Sequence, residues 1–317
     1  MANELKIRTW QNAIPRHWVN LQIRQKEFQA RFLLGTRAGR AAKRALNVPT
    51  ALPFRARIAV NMSPYPLLGH QVSSWIAGYM WARELGIPFR GGEIPADRRG
   101  LFDFAADEDH TPMSGERKRL ATPSYDERDS RSRLVLVDQL ARQLSRRKGG
   151  IVLQLRRDPQ WWDQVPAAPA IRRGLLAGYL GGQLRAYESG SPYIALHVRR
   201  GSDIDRTTTG GADSNIPVQR WVDEDHYVSV VSQLRAVPEL ARCPIHVVSV
   251  DDLSDFSTLG AMENLTFRVD RDRDEDLVFL AGASVLATSP SSFSFTAALA
   301  SRGGGRGKTS MVAQRAR

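Results

Sequence analysis

The chain has 317 residues, 42% hydrophobic and 25% charged, with a formal net charge of +12 and a single cysteine. That length suits one large domain or two ordinary ones, and the composition is that of a soluble globular protein, with no run near the roughly 18 apolar residues a membrane helix needs. Cys243 has no partner for an internal disulfide, and "MANELKIRTWQNAIPRHW" at the start lacks the apolar stretch of a secretory signal, so the expected location is cytoplasmic.

The positive charge sits at the two ends. Residues 1–57 carry twelve Lys and Arg against only Glu4 and Glu27, and 301–317 carry five with no acid, while 58–300 holds 28 basic against 31 acidic side chains. The middle is not a basic body. The ends suit peripheral contact with an anionic surface such as a membrane, although a solvated helix face is the plainer reading, and no specific nucleic acid is expected.

After the basic segment 1–57, "RARIAVNM" (55–62) reads as a strand and "SPYPLLGHQ" as a turn. "VSSWIAGYMWARELG" (72–86) reads as a helix, because Val72, Ile76 and Met80 recur four residues apart and Gly86 suits its C-terminal cap. Residues 91–133 are polar and read mostly as loop. A helix is expected over 134–144, a strand over 151–155 and one helix across 170–187. "ESGSP" (188–192) divides the chain, giving a first α/β half over 58–189 and a second over 190–301. In the second half "YIALHV" is a strand, 223–237 a helix and 245–250 a strand. Then 264–269 reads as a third strand, 274–283 as a helix, 284–288 as a strand and 291–301 as a helix. Residues 302–317 read as a basic Gly/Arg-rich tail. Strands alternating with helices imply parallel sheets, with ligands bound beyond the carboxyl ends of the strands.

The chemistry-bearing residues lie at those strand ends. His197 and Arg199 share one face of "YIALHVRRGSDID", Gly201 permits a tight turn, and Asp203 and Asp205 follow. A guanidinium fork matches a phosphate, and a structural Arg–Asp cluster is the plainer use of the same residues. Asp251 and Asp252 end "VVSVDD" and can accept from the N–H groups of a purine such as guanine, or can cap a helix. "ATSPSSFSF" places Ser289, Ser291, Ser292 and Ser294 around a helix N-terminus, where hydroxyls and unpaired amides suit an anion. Four serines opposite an arginine pair favour a pyrophosphate.

"HVRRGSD" is similar to the His-x-Arg-Arg-x-Asp motif of GDP-fucose-dependent fucosyltransferases, the alpha-1,2, alpha-1,6 and protein O-fucosyltransferase groups. "VSVDD" and "EDLVFLAGASVLATSPSSFSF" resemble that superfamily's second and third motifs. "LLGHQVSSWIAGYMWARELG" resembles its Gly-Asn-Gln loop and helix, with His70 in place of asparagine. The resemblance covers about 190–301 well and 66–86 loosely. It implies a GT-B-type α/β fold of two Rossmann-like domains, with the acceptor on the 58–189 side and the donor on the 190–301 side. It further implies inverting transfer of fucose from GDP-beta-L-fucose to a glycan or protein hydroxyl, without a required metal or other cofactor.

By motif position Arg199 meets the β-phosphate and Arg200 supports the loop or the phosphates. His197 with Asp251 or Asp252 holds guanine, the Ser291, Ser292, Phe293, Ser294 turn grips the diphosphate, and Gly69, His70 and Gln71 form the acceptor-side loop. Asp213, ahead of Asp203 and Asp205, is the expected base. "SRGGGRGKTS" is not a phosphate loop, since Arg302 stands where the first glycine is required and no strand is read before it. The scattered histidines give no zinc set. The reading from a different class is a non-catalytic protein that binds nucleic acid or an anionic membrane through its basic ends.

Overall fold

A computed structural model describes residues 56–60, 68–92, 100–112, 117–120, 150–155, 163–200, 222–250, 256–302 and 310–312. The helix expected over 134–144 and nearly all of the basic segment 1–57 lie outside them. In chain order the elements begin with β1 (Ala56–Val60), α1 (Leu68–Leu85), β2 (Phe89–Gly92), β3 (Arg117–Leu120) and β4 (Ile151–Leu155). A short 3-10 turn over Val165–Ala167 leads into α2 (Ala168–Ala177), α3 (Gly181–Ser189) and β5 (Ile194–His197). They continue with α4 (Glu224–Ala236), β6 (Ile245–Ser249), α5 (Ser257–Gly260) and β7 (Leu265–Val269). The last are α6 (Arg273–Gly282), β8 (Val285–Thr288), α7 (Ser292–Ala300) and β9 (Ser310–Val312).

Both sheets are parallel throughout. The first runs β2-β1-β4-β3 and the second β7-β6-β5-β8-β9. Central parallel strands are covered on both faces, so they read as continuous apolar runs rather than alternating ones. "IALH" in β5 and "VLAT" in β8 are buried at every position, whereas the edge strand β7 is largely exposed. Tyr227, Val231 and Leu234 of α4 close one face of the second core against Leu196, Val247 and Ile245.

The expected helix at 72–86 begins four residues earlier, at Leu68, so the "GHQ" read as a loop forms the first turn of α1. Leu68, Val72, Trp75, Ile76, Met80 and Trp81 are all buried, nearly all round the helix, because α1 lies between β1 and β2 on one side and α7 on the other. Gly86, at φ 65°, closes it, with the Ile87 N–H bonding back to the Ala82 carbonyl at 3.0 Å. The polar stretch 91–133 holds two strand segments, the end of β2 and all of β3, inside what reads as loop. Its acidic part is pinned residue by residue. Asp107 pairs with Arg173, Asp109 with the buried Arg57, and Glu108 accepts from Trp75 Nε1 at 2.6 Å. A polar composition hides such order, because each acid has a distant partner.

The single helix expected over 170–187 is two. Gly178 breaks it with ψ 173°, and its Cα packs so closely on Leu101 that a Cβ would overlap the Leu101 carbonyl. The turn admits the 100–104 loop, whose Asp103 N–H bonds the Gly174 carbonyl at 2.9 Å. At the far end, Ser310–Val312 of the basic tail pairs with β8 as β9. Three residues are too few for a pattern to announce them.

Helices of the first half seat directly on helices of the second. The Arg172 guanidinium takes both Glu188 oxygens, at 2.6 and 2.8 Å, and donates to the Ala300 carbonyl at 2.9 Å, tying α2 to α3 and to the end of α7. Gly178→Ala should lower stability by about 1–3 kcal/mol through overlap alone, since its φ of −69° is ordinary. Gly182→Ala, where the added Cβ meets nothing, should be neutral or gain up to about 1 kcal/mol from helix propensity. Chemical denaturation of both variants checks the contrast.

Candidate functional site

The chain leaves β5 to build β6 and β7 on one side, then returns to place β8 on the other. Backbone therefore diverges beyond the carboxyl ends of β5 and β8, leaving the crevice where ligands of open α/β sheets bind. A cleft of about 160 Å³ lies there, lined by His197, Arg199 and Arg200 after β5, Ser249 and Val250 at the end of β6, and Ser291, Ser292 and Phe293 after β8. Leu68 and Gly69 of α1 and Arg273 and Asp276 of α6 complete it.

His197 ends β5 and is buried, and its Nδ1 lies 2.6 Å from Ser289 Oγ, joining the two strand ends across the crevice. Burial first, and the Arg199 charge second, hold the imidazole well below its usual value near 6.5, at about 3, so it is neutral at physiological pH. Arg199 leaves the strand on the same side, as alternation requires, and donates from Nη1 to Ser291 Oγ at 3.1 Å. Arg200 is committed to the loop. Its guanidinium donates to the Arg199 and Val222 carbonyls, both at 2.8 Å, and stacks on Phe256 at 4.6 Å.

The serine run divides by role. Ser291, at φ −141° and ψ 129°, caps α7 and accepts the Phe293 N–H at 3.3 Å. Ser292 and Phe293 line the cleft beside it. Ser294, expected at the ligand, is wholly buried and turns its hydroxyl back onto the Ser289 and Ser291 carbonyls. From the first half, Gly69 reaches the cleft, whereas Gln71 is buried in α1 and His70 is half-buried, with neither lining it.

Asp203, Asp205, Asp213, Asp251 and Asp252 lie outside the described residues. The structure adds Asp276, a carboxylate in the helix expected over 274–283 that sequence reading did not single out. Asp272 caps that helix, accepting from the Asp274 and Glu275 amides. Asp276, four residues further, is 2% exposed, and its Oδ1 has no hydrogen-bond partner, because Arg268 Nη2 stays 3.6 Å away. Burial pushes its carboxyl up from 3.8 to about 6, with Arg268 only partly countering. The sequence signal that could have marked it is the length of the run: Asp276 is the fourth acid in "DRDEDL", more than a cap needs.

These two buried groups make opposite demands on stability. His197 binds its proton in the unfolded chain first, so its contribution is lost as pH falls from about 6.5 toward 3. Asp276 binds its proton in the folded chain first, so its contribution grows as pH falls from about 6 toward 3.8. Between those limits the two offset each other. Asp276→Asn should therefore lose stability more steeply than the parent between about pH 6 and 4, by up to about 1.4 kcal/mol per pH unit, in denaturation at stepped pH. A variant profile parallel to the parent's would contradict the assignment.

No protein-family model matches the sequence, and no curated protein matches it. Among solved structures the chain is similar to POFUT1 in complex with GDP, at 12% identity over 81% of this chain and 96% of that one, with a TM-score of 0.50. It is also similar to the fucosyltransferase NodZ from Bradyrhizobium, at 12% identity, 78% and 92% coverage and a TM-score of 0.42. A mutant of Arabidopsis thaliana FUT1 in complex with GDP follows, at 8% identity, 78% and 68% coverage and a TM-score of 0.42. The likeness to POFUT1 is one of fold, a mixed α/β architecture with two parallel sheets.

Proposed function

We propose that this protein is a glycosyltransferase that moves fucose, with inversion, from GDP-beta-L-fucose to a hydroxyl of a glycan or protein. The observation that carries the reading is the meeting of His197, Arg199, the Ser291–Phe293 turn and Asp276 in one cleft at the point where the strand order reverses. The similarity of fold to POFUT1, whose structure contains GDP, supports it.

The cleft offers complementary ends to a guanosine diphosphate. Arg199 and the N-terminus of α7 supply positive charge and donors on one side, suited to two phosphates. Asp276, from α6, supplies an acceptor, and neutral His197 a polar ring. Above about pH 6 Asp276 is ionised and accepts the ring and amino N–H groups that guanine, and not adenine, presents together. The sequence reading gave that part to Asp251 or Asp252, which follow Val250 in the chain.

In the transfer, the bond from the anomeric carbon to the β-phosphate oxygen breaks and its electron pair leaves with GDP. The acceptor oxygen bonds the anomeric carbon from the opposite face and yields its proton to a carboxylate, Asp213 ahead of Asp203 and Asp205. Charge accumulating on the β-phosphate is met by Arg199, fixed in place through Ser291 and needing no rearrangement as the bond lengthens. With an arginine and a helix N-terminus in that role, no divalent cation is required.

A thermal-shift panel of GDP, UDP, ADP and a short DNA duplex tests the reading. GDP at about 100 times its dissociation constant should stabilise the protein by about 2.7 kcal/mol, with or without EDTA, and the others far less. Stabilisation by the duplex alone would instead indicate binding through the basic ends. Arg199→Ala should remove most transfer activity while the fold survives, the lost charge-assisted bonds being worth about 1.5–3 kcal/mol before any transition-state gain. Near-normal turnover in that variant defeats the proposal.

A further inference from the structure

Gly69 occupies the first turn of α1, where glycine is a poor choice on local grounds. It is not among the residues with positive φ, and a helical glycine costs about 1 kcal/mol relative to alanine. The cause is contact with the second half. A Cβ at Gly69 would overlap Ser292 Oγ and would lie 2.5 Å from the Ser292 carbonyl carbon and 2.6 Å from the Phe293 nitrogen, closer than packed atoms approach. That peptide is the start of α7, and its Phe293 N–H is the one capped by Ser291, which also receives Arg199. Leu68 and Gly69 themselves line the cleft, so the first turns of α1 and α7 face the same space.

Two helix N-termini are partial positive charges, and pressed together they repel unless an anion sits between them. We infer that Gly69 is a positioning residue for diphosphate recognition: its missing Cβ lets α1 seat against the Ser292–Phe293 peptide, which holds the α7 amides and, through Ser291, the Arg199 guanidinium on the phosphates. This rests on the GDP-sugar reading of the cleft. The acceptor for guanine, Asp276 on α6, takes no part in the contact, so the two ends of one ligand respond separately.

Calorimetry of the full-length protein with GDP and with guanosine reads this directly. Gly69→Ala should weaken GDP at least tenfold and leave guanosine within about twofold, in a protein that still folds but is less stable through the overlap, as at Gly178. Equal loss of both ligands would mean general damage to the cleft and would overturn the inference, as would undiminished GDP affinity. A parent that binds neither ligand refutes the GDP-sugar reading itself, and the inference with it.

A double-mutant cycle with Ser292→Gly, which removes the overlapping Oγ and loosens the peptide, keeps the test informative if Gly69→Ala alone folds poorly. The alanine should cost GDP affinity less in the Ser292→Gly background than in the parent, whereas additive effects would show that the two positions act independently and overturn the inference. Gly182→Ala, a helical glycine facing open space, should leave GDP affinity unchanged.

Discussion

The buried bond between His197 Nδ1 and Ser289 Oγ, 2.6 Å long, holds the carboxyl ends of β5 and β8 at a fixed separation where the chain paths diverge. Everything in the cleft is referenced to those two ends. Arg199 projects two residues beyond His197, and Ser291 caps α7 two residues beyond Ser289. The bond between Arg199 and Ser291 therefore repeats, one step further out, the link made by the residues on which each depends. Histidine suits the inner position because burial keeps it neutral, so it adds no cation behind Arg199.

The second constraint is that the cleft is finished by the first half of the chain. The helices α1 and α2 lie on α7, and α3 lies on α6, through small residues and tightly fitted backbone. Arg172 gathers a carboxylate on α3 and the last carbonyl of α7, and the Tyr187 ring meets Phe279 edge-on at 5.2 Å. Such a joint is closely packed. For the proposed transfer, close packing has a use, since two reacting groups must be held in register.

The acidic loop at 103–111 shows how composition misleads. Four acids in nine residues look like a solvated segment, yet Asp107, Glu108 and Asp109 each face a different element, and Glu108 is buried enough that its carboxyl is raised above the ordinary range despite Trp75 and His110. The order is long-range and electrostatic. No window of local sequence contains the arginines and the tryptophan that create it.

What the sequence determined by itself follows from local physics. The apolar runs of β1, β4, β5, β6 and β8, the cap of α1 at Gly86, and the serine-capped start of α7 are set by burial on both faces, by left-handed backbone and by unpaired amides. The common face of His197 and Arg199 follows from the two-residue repeat of a strand. Tertiary structure alone decided which of these groups meet. It turned Ser294 inward, assigned Arg200 to the loop, broke the helix at Gly178, drew Ser310–Val312 into the sheet, and brought Gly69 and Asp276 to the cleft. Those outcomes depend on surfaces approaching from far along the chain, and neither the closeness of a backbone contact nor the charge state imposed by burial is written in the pattern of neighbouring residues.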